Sequence, residues 1–271
     1  MKSVNPVITN CQQHGIPYQA NVSLADFSTF KAGGTGALLL QPLDETQLKA
    51  AQSLLIQANI PWKALGNGSN VLFPDEGYGG VILHRSQRMG HMEAKGDGVL
   101  RCQSGASLIK LCVFAAEQGL SGLEFAYGIP GSVGGGIYMN AGAYGGELAD
   151  VLVETHHLAE DGSSAVFAGE AMQLDYRQSA YSGTQKFITG GVFQLRSDDK
   201  AAIRARMDDY MTRRKTKQPL EYPSAGSTFK RPDGADASAL IDQCGLKGAR
   251  IGGAMVSEKH AGCVVNTGKA T

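Results

Sequence analysis

A chain of 271 residues holds one large domain or two to three small ones, and its 42% hydrophobic content supplies a sizeable core. Lys plus Arg and Asp plus Glu each number 25, so the formal charge is zero. That balance excludes a general basic field for collecting nucleic acid or an acidic membrane, and any anion must be held by a local site.

Residues 1–26 are mixed and are expected to open with a short helix. Phe27 to Gly36 is a turn-rich entry, and Ala37-Leu38-Leu39-Leu40 reads as a short buried strand. Asp44 then caps a helical pattern through Leu48, Ala51, Leu54, Leu55 and Ala58. Pro61 to Leu65 is the next strand and ends in Gly66-Asn67-Gly68-Ser69-Asn70, a strand–helix–strand unit of nucleotide-binding type. Short strands follow at 81–83 and 99–102, and Ser107 starts a helix closed by Gly119. A glycine-dense loop comes next, then strands at 150–158, 164–168 and 187–195. Asp198 to Lys217 is a charged helix with Ile203, Met207 and Met211 on its apolar side. The remainder has turns, one helix near 236–244, and strands at 251–256 and 262–266.

The glycine-dense loop, Ala126-Tyr127-Gly128-Ile129-Pro130-Gly131-Ser132-Val133-Gly134-Gly135-Gly136, is the main chemical signal. Concentrated glycine requires positive φ angles or close backbone approach. With only small side chains between them, its main-chain N–H groups suit a pyrophosphate. Ile129, Pro130 and Val133 argue against a flexible linker. Gly66 to Asn70 is a second small-residue loop that fits neither a Walker loop nor G-x-G-x-x-G, because no Lys-Ser/Thr pair follows and Val71 stands at the third glycine position. Taken alone it is also open to reading as a plain hairpin turn. Met139 to Gly146 extends the first run, and the two runs together read as walls of one cofactor cleft. Tyr144 either lines that cleft or packs in a turn.

The cysteines at 11, 102, 112, 244 and 263 form no C-x-x-C pair. Cys102, Cys112 and Cys263 sit among apolar neighbours and read as buried small hydrophobes in a reducing, cytoplasmic setting. The histidines show no i, i+4 pairing, so no metal is expected. Neither a signal peptide nor a membrane span is expected.

The set Gly66 to Asn70, Gly122 to Gly131, Met139 to Gly145, Tyr176-Arg177 and Ala225-Gly226-Ser227-Thr228-Phe229-Lys230 closely resembles the UDP-N-acetylenolpyruvoylglucosamine reductase family. Ile251 to Ala254, Ser257 to Gly262 and Val264-Val265-Asn266 match as well, so the resemblance spans about residues 20–271. It implies an α+β protein with a two-lobed FAD-binding fold, lobes 1–80 and 81–197, and an α+β substrate-binding domain, 198–271, that is incomplete. It implies a ping-pong cycle in peptidoglycan precursor synthesis. NADPH reduces noncovalent FAD and NADP leaves. The enolpyruvyl UDP-sugar then takes hydride at C3 and a proton at C2, giving UDP-N-acetylmuramate. No nucleic-acid partner is implied.

On that resemblance the FAD-binding residues are Gly66, Asn67, Gly68, Ser69, Asn70, Tyr127, Gly128, Ile129, Pro130, Gly131, Ser132, Gly134, Gly135, Asn140, Ala141 and Gly142. Arg177 supplies the cation at the substrate carboxylate and Ser227 the proton at C2. Lys217 and Lys230 are assigned to the substrate: Lys217 falls where the family places a cation near the substrate's phosphates or the nicotinamide cofactor, and Lys230 is a candidate for the UDP phosphates or equally a residue of a solvated turn. The family's third catalytic group, a glutamate near its C-terminus, falls beyond Thr271, so the chain is expected to be cut before it. The short stretch between Arg177 and Phe193 has no room for a tyrosine-bearing insertion and marks the shorter class of these reductases. Two other readings stay open: an oxidase on the same scaffold, and a flavin-binding chain without turnover.

Overall fold

The computed structural model describes residues 4–84 and 87–271. The chain divides into two compact units: Met1–Ala20, Leu38–Gly66 and Gly79–Met211 form one, and Asn21–Ala37, Asn67–Tyr78 and Thr212–Thr271 form the other.

In the first unit a helix at Asn5–His14 ends at Gly15. The helix Glu45–Gln57 starts where expected, with the Asp44 carboxylate accepting from Gln47 N at 2.8 Å. Its Leu48, Ala51 and Leu55 recur at helical spacing and are buried. They share a core with Leu38, Leu40, Trp62, Val81, Leu83, Leu158 and Phe187. The strands Tyr18–Ser23, Thr35–Leu40, Tyr78–His84 and Trp62–Leu65 lie in that order in one sheet. The two strands flanking the helix are therefore not neighbours, because Tyr78–His84 inserts between them. Trp62–Leu65 pairs with it in parallel, Leu65 opposite His84.

A five-stranded antiparallel sheet follows in the order Ser164–Ala168, Leu152–Leu158, Phe187–Gln194, Val99–Gln103, Met92–Gly96. The helix Leu108–Glu117 buries Leu108, Leu111, Cys112 and Ala115, and closes near Gly119 (φ 71°). These residues belong to a second core with Leu100, Phe125, Ile137, Phe193, Ile203 and Met207. Ile203 and Met207 come from the helix Lys200–Lys217.

The glycine-dense run differs from the expected loop. Its second half is the short helix Val133–Tyr138, and none of its glycines has a positive φ. The N–H groups of Val133, Gly134 and Gly136 bond to Ala106 O, Ser104 O and Ser132 O. Close packing is the physical reason: a Cβ on Gly134 would sit 2.8 Å from Ser104 Cβ.

In the second unit the strands Ser224–Ser227, Cys263–Asn266, Ala254–Val256 and Arg250–Ile251 form an antiparallel sheet in that order. The Asn266 side-chain amide donates to Phe30 O (3.0 Å) and Lys31 O (3.2 Å), and Thr29 Oγ1 donates to Ser224 O (2.7 Å). Phe30, Ala32 and Ala270 make a small core. The helix Ala237–Gln243 is capped by Asp236 and buries no residue. Among the described residues, no helix is long and apolar enough to cross a membrane.

Candidate flavin and substrate site

The two small-residue loops meet at one point in the first unit. Gly66 lies against Ser132, and a Cβ on Gly66 would overlap Ser132 Oγ. That oxygen accepts from Gly135 N at 3.2 Å and caps the short helix. Gly66 is also held from the neighbouring strand, since His84 donates to its carbonyl. Nδ1 of His84 faces Gln41 Nε2 at 3.3 Å. Burial holds the His84 pKa below the ordinary imidazole value, against the opposing effect of the Gly66 bond.

The fit of this point to a phosphorylated cofactor rests on its donors. Gly128 and Ser132 are buried, and their main-chain N–H groups bond to no other described residue. Backbone donors in buried positions are seldom left unpaired in native proteins, and small neighbours let an anion reach them. Ile129 packs against the core and Pro130 is exposed. Tyr127 lies 5.5 Å from the Arg204 guanidinium carbon. In the second unit, Gly68 O accepts from Thr29 N, and Asn67, Ser69 and Asn70 sit at the surface or partly so.

Arg177 draws Asn140 and Gly142 together. Its Nη1 donates to Asn140 O (3.2 Å) and its Nη2 to Gly142 O (2.7 Å). Arg177 has φ 56°, in a tight turn bridged between Asp175 and Gln178. Asn140 is fully buried, its amide donating to Asp175 O (3.2 Å) and its oxygen accepting from Ala149 N (2.9 Å). The Ala141 N–H donates to Gly136 O, tying this turn to the short helix. Two carbonyls use two of the five guanidinium donors. Arg177 makes no ion pair with a described residue, and its charge is not neutralised.

Ser227 is exposed in the second unit and lies directly opposite Cys263 in the strand register. Lys217 ends its helix at the surface, and Lys230 is exposed beyond Ser227. Tyr144 (φ 56°) stacks on Tyr210 with ring centroids 4.8 Å apart. Both line a cavity of about 660 Å³ with Glu124 and Arg206, which none of the expected cofactor residues borders. The His84 support of Gly66 was not readable from the sequence, because only strand pairing places His84 beside Leu65.

Comparison with known proteins defines the class first. The FAD binding domain family matches residues 36–166, and the chain shares its fold with a chitooligosaccharide oxidase (TM-score 0.55, 17% identity, 70% of this chain and 43% of that one). This is an FAD-binding scaffold. The family of the C-terminal domain of UDP-N-acetylenolpyruvoylglucosamine reductase matches residues 218–271. The reductase of Syntrophomonas wolfei is 42% identical over 251 residues, 93% of this chain and 84% of the relative. The crystal structure of the Thermus caldophilus reductase superposes with a TM-score of 0.82 at 35% identity, covering 94% of this chain and 89% of that one. The chain belongs to the UDP-N-acetylenolpyruvoylglucosamine reductase family.

Proposed function

We propose that this protein reduces the enolpyruvyl ether of UDP-N-acetylglucosamine to UDP-N-acetylmuramate with NADPH, in the cytoplasm, as a step of peptidoglycan precursor synthesis. The observation that carries the reading beyond family membership is Arg177. Its fork is anchored by two main-chain carbonyls rather than a carboxylate, leaving a full positive charge for a substrate anion.

Gly66, Ser69, Asn70, Gly128, Gly131 and Ser132 would hold FAD through backbone contacts, with the other loop residues named above shaping their walls. Bound FAD supplies hydride transfer from the nicotinamide to C3 of the enolpyruvyl group. Arg177 holds the substrate carboxylate and opposes the negative charge that develops there. The Ser227 hydroxyl delivers its proton to C2. A serine hydroxyl is a weak acid, so it acts only beside a strongly basic carbon. Lys217 and Lys230, both exposed cations, hold the diphosphate.

Anaerobic stopped-flow absorbance tests the reading. NADPH should bleach the flavin, and the enolpyruvyl substrate rather than oxygen should restore it. Ser227→Ala should leave bleaching nearly intact and slow restoration by roughly 10²-fold or more. Absence of a flavin band after incubation with FAD, or equal loss of both half-reactions in Ser227→Ala, overturns the assignments.

A further inference from the structure

One buried residue holds both ends of Arg177. Asn140 follows the short helix Val133–Tyr138 and is 0% exposed. Its φ of 38° lies in the left-handed region, which asparagine enters more readily than most residues. Its side-chain oxygen accepts from Ala149 N (2.9 Å) and its side-chain nitrogen donates to Asp175 O (3.2 Å). The first partner can only donate and the second can only accept, so the amide has a single orientation.

The Asp175 carbonyl closes the turn that carries Arg177. It also receives Gln178 N at 3.1 Å, while Asp175 N donates to Gln178 O at 3.2 Å. Arg177, at φ 56°, lies inside that turn. The Asn140 amide therefore fixes the base of Arg177. The head is fixed by the same residue, because the Asn140 main-chain carbonyl accepts from Arg177 Nη1 at 3.2 Å. Gly142 O takes Nη2 at 2.7 Å. Glycine at 140 would supply the backbone angle and aspartate the shape, but neither supplies a side-chain donor. Asparagine meets all of these demands at once.

We propose that Asn140 is a positioning residue for Arg177: by bonding the turn that carries the side chain and the guanidinium that ends it, Asn140 aims the remaining donors of the fork at the substrate carboxylate. This rests on Arg177 being the cation for that carboxylate. A fork held at two points has less freedom left to lose when an anion binds, and its charge-assisted bonds depend on alignment. The Asn140 side chain, wholly buried and bonded to the main chain at both ends, acts on the substrate only through Arg177.

The test is isothermal titration calorimetry of the FAD-loaded full chain with two ligands: the enolpyruvyl substrate, and UDP-N-acetylglucosamine, which lacks the carboxylate. Asn140→Gly keeps the backbone angle and removes both side-chain bonds. It should weaken the substrate about tenfold to a hundredfold, the range of a hydrogen bond to a charged group, and UDP-N-acetylglucosamine by less than about twofold. Asn140→Asp keeps the acceptor for Ala149 N, loses the donor to Asp175 O, and should show the same selective loss. Arg177→Ala should show it too. Adding Asn140→Gly to Arg177→Ala should then cost less than about twofold more, because both act through one group. Equal weakening of the two ligands in Asn140→Gly overturns the proposal. So does a full further loss in the double variant, or an Asn140→Asp protein that binds the substrate like wild type. Selective loss in Arg177→Ala with wild-type binding in Asn140→Gly removes only the role of Asn140. Undiminished preference for the substrate in Arg177→Ala removes the carboxylate assignment itself, and the positioning role with it.

Discussion

Adding one methyl group at Gly66 tests whether the two glycine loops depend on each other. The new Cβ overlaps Ser132 Oγ, while Ser132 Cβ stands at 3.5 Å, an ordinary contact. The oxygen then has two fates. It can swing away, losing its bond to Gly135 N and about 1 kcal/mol of helix cap. Or it can stay, with an overpacking cost of about 1–3 kcal/mol. Ser132→Ala alone loses the cap, about 1 kcal/mol. In the double variant no oxygen remains to collide, so Gly66→Ala adds nothing further. It even recovers about 0.4–1 kcal/mol through a less flexible unfolded chain. The two single costs should therefore exceed the double by about 1–3 kcal/mol. Urea unfolding followed by fluorescence of Trp62, the single tryptophan and 6% exposed in the same unit, measures all four proteins. Strict additivity refutes the contact.

Glu124 accepts from Ser121 Oγ, Gly122 N and both Nε and Nη2 of Arg206. Burial pushes this carboxyl up, but the Arg206 bond and the neighbouring donors outweigh it and hold it below the ordinary glutamate value. Its contribution is thus present above the unfolded-state value and lost as pH falls through the folded one. Glu124→Gln should cost about 1–2 kcal/mol at pH 7, discounted because the Arg206 side chain is 40% exposed. The difference from wild type should shrink towards pH 3 in urea titrations; a constant gap contradicts the assignment. Arg177→Lys removes the fork that grips Asn140 O and Gly142 O. Restoration of the flavin by substrate should fall on the order of 10²-fold while bleaching by NADPH continues, and parallel loss of both refutes the carboxylate role. Tyr181 is 1% exposed and bonds to Thr155 Oγ1 (2.6 Å) and His157 Nδ1 (3.0 Å). Tyr181→Phe should cost about 1–2 kcal/mol by thermal unfolding, and no loss would mean that the network is idle.

The sequence by itself determined the elements whose signals are local. Asp44 starts its helix because a carboxylate three residues before a free N–H is a cap wherever the chain goes. Leu48, Ala51 and Leu55 are buried because their spacing follows the helical turn. The flavin and reductase character was also legible, through glycine runs and the Tyr176-Arg177 and Ala225 to Lys230 motifs, which mark the family in chain order.

What only the tertiary structure decided are matters of approach between distant segments. The run at 128–136 folds partly into a helix because Ser104 and Ser132 supply partners for its N–H groups. Residues 21–37 and 67–78 join the C-terminal unit through long-range contacts such as Asn266 to Phe30 O, which no local pattern encodes. His84 reaches Gly66 only through a parallel pairing. Cys263, a small hydrophobe by its neighbours in sequence, comes to lie opposite Ser227 only once two strands are in register. Sequence periodicity reports which face of an element is apolar, whereas the pairing of Ser227 with Cys263 depends on register, which the assembled sheet alone fixes.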